Sequence, residues 1–104
     1  MIEAMIVESV KEHPEISNLN ICTLTNGSEC FQVVTESIHS YKVDDMVAVA
    51  RIGTVLPSDY GSGKDPHLVM KERICGVFSE GMALGTTNGG LGTDISRAYG
   101  VYES

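Results

Sequence analysis

The chain has no tryptophan, and aromatic residues make up only 6% of it, so a broad base-stacking platform is not available. Positive charge is also scarce: 7 Lys and Arg stand against 14 Asp and Glu, a formal net charge of −7. Phosphate neutralisation supplies most non-specific affinity for nucleic acid, so a protein-wide basic grip is excluded. No apolar run approaches the ~18–20 residues of a membrane-spanning helix. The opening Met1-Ile2-Glu3-Ala4 has neither the basic region nor the apolar stretch of a signal peptide. A cytoplasmic protein without a membrane segment is therefore expected. Cys22, Cys30 and Cys75 cannot all pair with one another, and none has C-x-x-C spacing. Reduced, buried thiols are expected, and no metal site.

What remains is unevenly arranged. Residues 1–45 hold eight acids and two bases; residues 46–104 hold six acids and five bases. Any nucleic-acid site must then be local and lie in the second half. At 104 residues the chain suits one domain, here taken as residues 1–104, since two would each bury too small a core.

The pattern along the chain is one of short strands. Ala4 to Lys11 alternates, with Ile6, Glu8 and Val10 against Met5, Val7 and Ser9, and Pro14 stops it. Leu19 to Thr25 and Cys30 to Thr35 flank Asn26-Gly27, a hairpin signal. A two-residue turn there would set Thr23 opposite Cys30 and point Cys22 and Cys30 to opposite faces. Met46 to Ile52 reads as a further strand, with Arg51 on the face of Val47 and Val49. Val55-Leu56 ends at Pro57, and Ser58 to Pro66 reads as an exposed loop. Leu68 to Met70 and Ile74 to Phe78 resume strand character, and Gly85 to Gly92 is irregular. Asp94 to Tyr99 fits one helical turn, with Thr93 or Asp94 as N-cap and Gly100 beyond its end. An all-β, five-stranded β-barrel with a short C-terminal helical turn accommodates this order, because closure removes exposed strand edges; an OB-like and an SH3-like barrel both fit the pattern.

Several strings within this pattern are more specific. Val7-x-x-Val10-x-x-His13-Pro14 and Leu19-x-Ile21-Cys22 are followed by Val47-Ala48-Val49-Ala50, Gly53 and Leu56-Pro57. Gly76-Val77-x-Ser79-Glu80-Gly81-Met82 comes later. Together they resemble the tRNA-binding OB-fold family. That family includes the N-terminal module of phenylalanyl-tRNA synthetase β chains, EMAP-II-like domains and stand-alone tRNA-binding proteins. The sequence departs from its pattern at Thr35-Glu36-Ser37-Ile38-His39, and at Asp44, where the family carries glycine. A second resemblance, to the accessory OB module of some RNA ligases, rests on further strings. They include Phe31-Gln32-Val33-Val34, Tyr41-Lys42-Val43-Asp44-Asp45-Met46-Val47, Leu56-Pro57, and Gly92-Thr93-Asp94-Ile95-Ser96-x-x-Tyr99-Gly100-Val101-Tyr102-Glu103. Arg73-x-x-Gly76-x-x-Ser79-Glu80-Gly81 fits the same module.

These resemblances imply an OB-fold barrel that binds RNA, tRNA-like or otherwise structured, without catalysing a reaction or carrying a cofactor. Adenylyl transfer needs a lysine nucleophile in a K-x-D-G setting, and Lys11, Lys42, Lys64 and Lys71 all lie outside one. The module would assist a ligase or synthetase catalytic chain, and a homodimer would bring two sites together. Ser79, Glu80 and Met82 are the expected close contacts; otherwise Gly81 only permits a turn and Met82 only fills core. Lys64, Lys71 and Arg73 are expected to meet phosphates, unless they form an ordinary solvated face. Tyr41 and Tyr60 are candidate stacking rings, whereas Phe31 reads as core. Arg51 sits at a barrel mouth or pairs with an acid. The rival reading is a protein-docking module whose acidic half engages a basic partner without binding RNA.

Overall fold

The computed structural model describes residues 1–57 and 66–101. Its strands are β1 (Ile2–Glu12), β2 (Leu19–Thr25), β3 (Cys30–Glu36), β4 (Met46–Arg51) and β5 (Val55–Leu56). They continue with β6 (His67–Leu68), β7 (Glu72–Ile74), β8 (Val77–Ser79) and β9 (Gly81–Thr86). Short 3-10 turns occupy Ser37–His39 and Ser96–Tyr99. Five strands form one antiparallel sheet in the order β3-β2-β1-β4-β9. The sheet curls so that its end strand β3 meets the β8–β9 junction. There the Glu80 N–H donates to the Gln32 carbonyl at 2.8 Å. The strand pattern predicts a small β-barrel, the resemblance implies its OB type, and the curled five-stranded sheet agrees with both.

β1 can organise the sheet because it serves two neighbours in succession. Its first half pairs with β4 and its second half with β2. The edge left open beside Ile2 and Ala4 is covered by the C-terminal segment, where Ile95 N–H donates to Ile2 O at 2.8 Å. The Ser96 hydroxyl accepts the Ile2 N–H at 2.8 Å, and the Asp94 carboxylate accepts the Ser96 N–H at 2.9 Å. The Ser96 hydroxyl, and after it the Ser96 N–H, donates to the Asp94 carboxylate and holds that carboxyl below its usual pKa. Gly100 ends the turn at φ +74°.

β4 is buried on both faces. Val47 and Val49 join Met5, Val7, Cys22, Leu24 and Val33 inside the barrel. Ala48 and Ala50 face a second apolar layer containing Ile2, Leu56, Val69 and Val101. Small side chains on that face let the C-terminal turn and the β5 region approach closely.

Four local differences from the sequence expectation have physical causes. First, strict alternation fails in β1. Val7 pairs with Leu24 and Ser9 with Thr23, leaving Glu8 as the bulge residue. Val7 and Val10 therefore both reach the same core. Second, Asn26-Gly27 does not make a two-residue turn: Thr25 pairs with Cys30, leaving Asn26 to Glu29 as the loop. Only Gly27 takes positive φ, and the Asn26 side-chain oxygen accepts the N–H groups of Ser28 and Glu29 instead. Cys22 and Cys30 still point to opposite faces, because the real register also differs by an odd number. Third, the stretch Ile74 to Phe78 is a hairpin, not one strand. Ile74 pairs with Val77 around Cys75-Gly76, whose φ values are +47° and +85°. Those are type I′ hairpin values, although cysteine is a poor residue for them. Cys75 and Cys30 are consequently exposed, and Cys22 alone is buried. Fourth, Gly81–Thr86 is a full strand, which its two glycines and single β-branched residue, Thr86, concealed.

At Asp44 the backbone takes a shape that glycine adopts most readily. Its φ is +76°, a left-handed conformation that Asp tolerates better than most side chains. The same reasoning makes a stability prediction at Cys75. Cys75→Asn should raise unfolding free energy by about 0.5–1 kcal/mol, because Asn enters the left-handed region at lower cost. Urea denaturation measures this directly; a loss of stability would contradict the turn assignment.

Candidate nucleic-acid interface

The β7–β8 hairpin presents two faces of different chemistry, as a strand pair must. On one face Arg73 lies opposite Phe78 in the ladder, and Lys71 precedes Arg73 by two residues. The Lys71 ammonium lies 4.6 Å from the Phe78 ring centroid, and the Arg73 guanidinium carbon 5.6 Å. Cation–π attraction holds both positive charges at the ring. Phe78 remains 45% exposed beneath these two cations. Sequence reading passed over it as part of an apolar strand; its signal was the Arg73-to-Phe78 pairing that the Cys75-Gly76 turn creates.

Two anchors fix the hairpin. The Gln32 side-chain amide donates to the Phe78 carbonyl at 2.8 Å, tying it to β3. At the turn end, His13 ties it to the β1–β2 loop. The His13 Nδ1 accepts the N–H groups of Glu15 and Ile16 at 3.0 and 3.1 Å. With Nδ1 accepting, Nε2 carries the proton and donates to the Ile74 carbonyl at 2.9 Å. His13 is 4% exposed, so it acts as a clamp inside the structure. OB barrels bind oligonucleotides on strands 2–3 and the adjoining loops between strands 1–2 and 4–5. In this chain those loops are the His13–Asn18 connection and the insertion between β4 and β9, and the imidazole joins them.

Ser79 and Glu80 have a different placement from a free rim. Ser79 is 5% exposed; its hydroxyl accepts the Val34 N–H at 3.1 Å and donates to the Gly81 carbonyl at 3.2 Å. The Glu80 carboxylate accepts the Gln32 N–H at 3.3 Å. Both side chains thus stand in for ladder partners at the barrel seam. Gly81 is required beside them: a Cβ there would lie 2.8 Å from the Ala50 carbonyl oxygen. Arg51 pairs with an acid, one of its two expected settings. Its guanidinium lies 3.5 Å from the buried Glu3 carboxylate, 3.7 Å from Glu29, and 4.9 Å from the Phe31 ring centroid. Sequence reading did not single out Glu3, which also receives the Asn26 side-chain amide at 3.3 Å. Lys64 and Tyr60 lie outside the described residues.

Behind the hairpin, residues of β3, β7 and β9 line a groove of about 550 Å³. Three expected site residues, Tyr41, Ser79 and Met82, meet there with Glu36, Glu72, Met70 and Leu84. Burial raises the Tyr41 hydroxyl's pKa, with a backbone hydrogen bond from Gly85 opposing it. Lys71 and Arg73 do not line this groove; they occupy the other face of β7 from Glu72 and Ile74.

Fold and surface together define an OB-type barrel carrying a cationic–aromatic hairpin on its longest insertion. The chain belongs to the family described as "Putative tRNA binding domain", which residues 3–100 match. A curated relative is the phenylalanine–tRNA ligase beta subunit of Syntrophotalea carbinolica. It is 35% identical over 86 residues, covering 83% of this chain and 10% of that protein. The same subunit from Geobacter metallireducens is 29% identical, covering 95% of this chain and 13% of that protein. The chain therefore spans about a tenth of the length of these relatives. Among solved structures, the RNA ligase of Naegleria gruberi has the same fold, with a TM-score of 0.77 at 14% identity. That likeness covers 98% of this chain and 34% of the ligase.

The seam yields a prediction. Ser79→Ala leaves the Val34 N–H unpartnered and should cost about 1–3 kcal/mol of stability. Hydrogen exchange at Val34 should accelerate more than exchange in β1. Unchanged protection at Val34 would show that the hydroxyl does not close the barrel.

Proposed function

We propose that this chain is a non-catalytic RNA-binding module that recognises tRNA-like or other structured RNA. The observation that carries the reading is the exposed Phe78 with Lys71 and Arg73 held over its ring. The cations supply phosphate contacts, and the ring supplies a stacking surface for an unpaired base. Family membership and the ligase-like fold support RNA as the partner. On this reading the module works in the cytoplasm beside a synthetase or ligase catalytic chain. Affinity per site is modest, because six of the acids in residues 1–45 are exposed. A homodimer would compensate by bringing two hairpins onto one RNA.

The test is a salt titration of binding to bulk tRNA, comparing wild type with Lys71→Glu/Arg73→Glu. Wild-type affinity should fall steeply with salt. The double variant should bind at least tenfold more weakly, with its logarithmic salt slope smaller by about two. No wild-type binding at low salt by a folded barrel would overturn the reading. It would favour instead a docking module whose exposed acids engage a basic protein.

A further inference from the structure

We propose that the groove between the β3–β9 seam and β7 is a pocket for a single unpaired nucleobase bearing an exocyclic amino group. The inference rests on the RNA-binding reading above and specifies what the module selects. The groove's volume of about 550 Å³ lies within the size range of small-molecule pockets. Its walls divide by chemistry. Met70, Met82 and Leu84 offer apolar, polarisable surface suited to the face of a flat ring. Glu36 and Glu72, both solvent-exposed, are the acidic residues among its lining.

Charge decides the occupant. Among the described residues, no Lys or Arg lines the groove, and a phosphate entering it would meet two glutamates with only the His67 imidazole to offset them. Those acceptors suit the amino group of cytosine or adenine, because carboxylates accept from cytosine N4 in base recognition. Uracil presents a carbonyl in that position and would oppose one acceptor with another. β7 supplies the complement. Glu72 lines the groove, while Lys71 and Arg73, its chain neighbours, lie on the opposite face with Phe78. A nucleotide can thus place its base on the acidic, apolar side and its phosphates across the strand on the cationic side. Double-stranded RNA cannot do this without releasing a base. The arrangement therefore favours loops, bulges and single-stranded ends.

The experiment measures binding of the full chain to ten-nucleotide oligocytidylate and oligouridylate at pH 7. Wild type should prefer oligocytidylate by about tenfold, as expected for one specific polar base contact. In Glu36→Gln/Glu72→Gln this preference should fall to near unity. If the glutamates are only solvated acids, the variant will bind both oligomers more tightly with the ratio unchanged. That result would overturn the pocket. Met82→Trp, which fills the groove, should also abolish the preference while its circular dichroism and melting remain those of wild type. Should Met82→Trp fail to fold, the glutamate variant alone decides. Equal wild-type affinity for both oligomers, sensitive to Lys71→Glu/Arg73→Glu, would overturn the pocket and leave the RNA-binding reading standing. Absence of binding to either oligomer and to tRNA would overturn both.

Discussion

The barrel depends on how its two ends meet. A sheet of β3-β2-β1-β4-β9 has free edges at β3 and β9, and free edges invite pairing with other chains. No continuous ladder joins them among the described residues. Instead, one backbone hydrogen bond from Glu80 to Gln32 is supplemented by two side chains, the Ser79 hydroxyl and the Glu80 carboxylate. The groove lies beside this short closure, and the closing Ser79 is among its lining residues. The same short closure also lets the preceding chain turn back as the β7–β8 hairpin, whose Phe78 carbonyl is caught by Gln32. Closure, groove and hairpin thus meet in one local arrangement.

A second constraint works from the other side. The β4–β9 insertion is supported by short strands only, with β5 paired to β6 and β7 to β8. Short hairpins are marginal on their own. His13 compensates by binding three backbone groups, two in its own loop and one in the hairpin. Imidazole suits this task because it accepts at one nitrogen and donates at the other. Pro14 beside it ends β1 and directs the loop so that Glu15 and Ile16 can reach Nδ1. The His-Pro string of the family pattern therefore has a mechanical meaning: it places the hairpin that carries Lys71, Arg73 and Phe78.

Much of the barrel was legible in the sequence because its cause is local. Val47 to Ala50, Leu19 to Thr25 and Cys30 to Thr35 carry strong strand signals, and the final turn announces itself through Gly100, although Ile95, not Thr93 or Asp94, is its N-cap. What stayed hidden depends on contacts between distant segments. β9 is rich in glycine because Gly81 must approach the Ala50 carbonyl, a requirement visible only once β4 lies beside it. The Glu8 bulge moves Val10 onto the core face, against simple alternation. Asn26-Gly27 looked like the tight turn, whereas Cys75-Gly76 makes it. The site shows the same division. Lys71 and Arg73 were recognisable as the basic concentration of the chain. Phe78 was not, because its role arises from cross-strand pairing, and Ser79 and Glu80 gave no sign in isolation that the barrel seam engages them.

The account rests on the hairpin being the surface that meets RNA. Backbone amide chemical shifts of the isotopically labelled full chain, followed during titration with tRNA, test that claim most directly. The account predicts that the largest changes fall on Lys71 to Phe78, with smaller ones at Gln32 and at Glu15 and Ile16 across the His13 clamp. Glu8 and Glu12 on β1 should remain unperturbed. Changes confined to the acidic face of β1, or none at RNA concentrations that saturate binding, would contradict it.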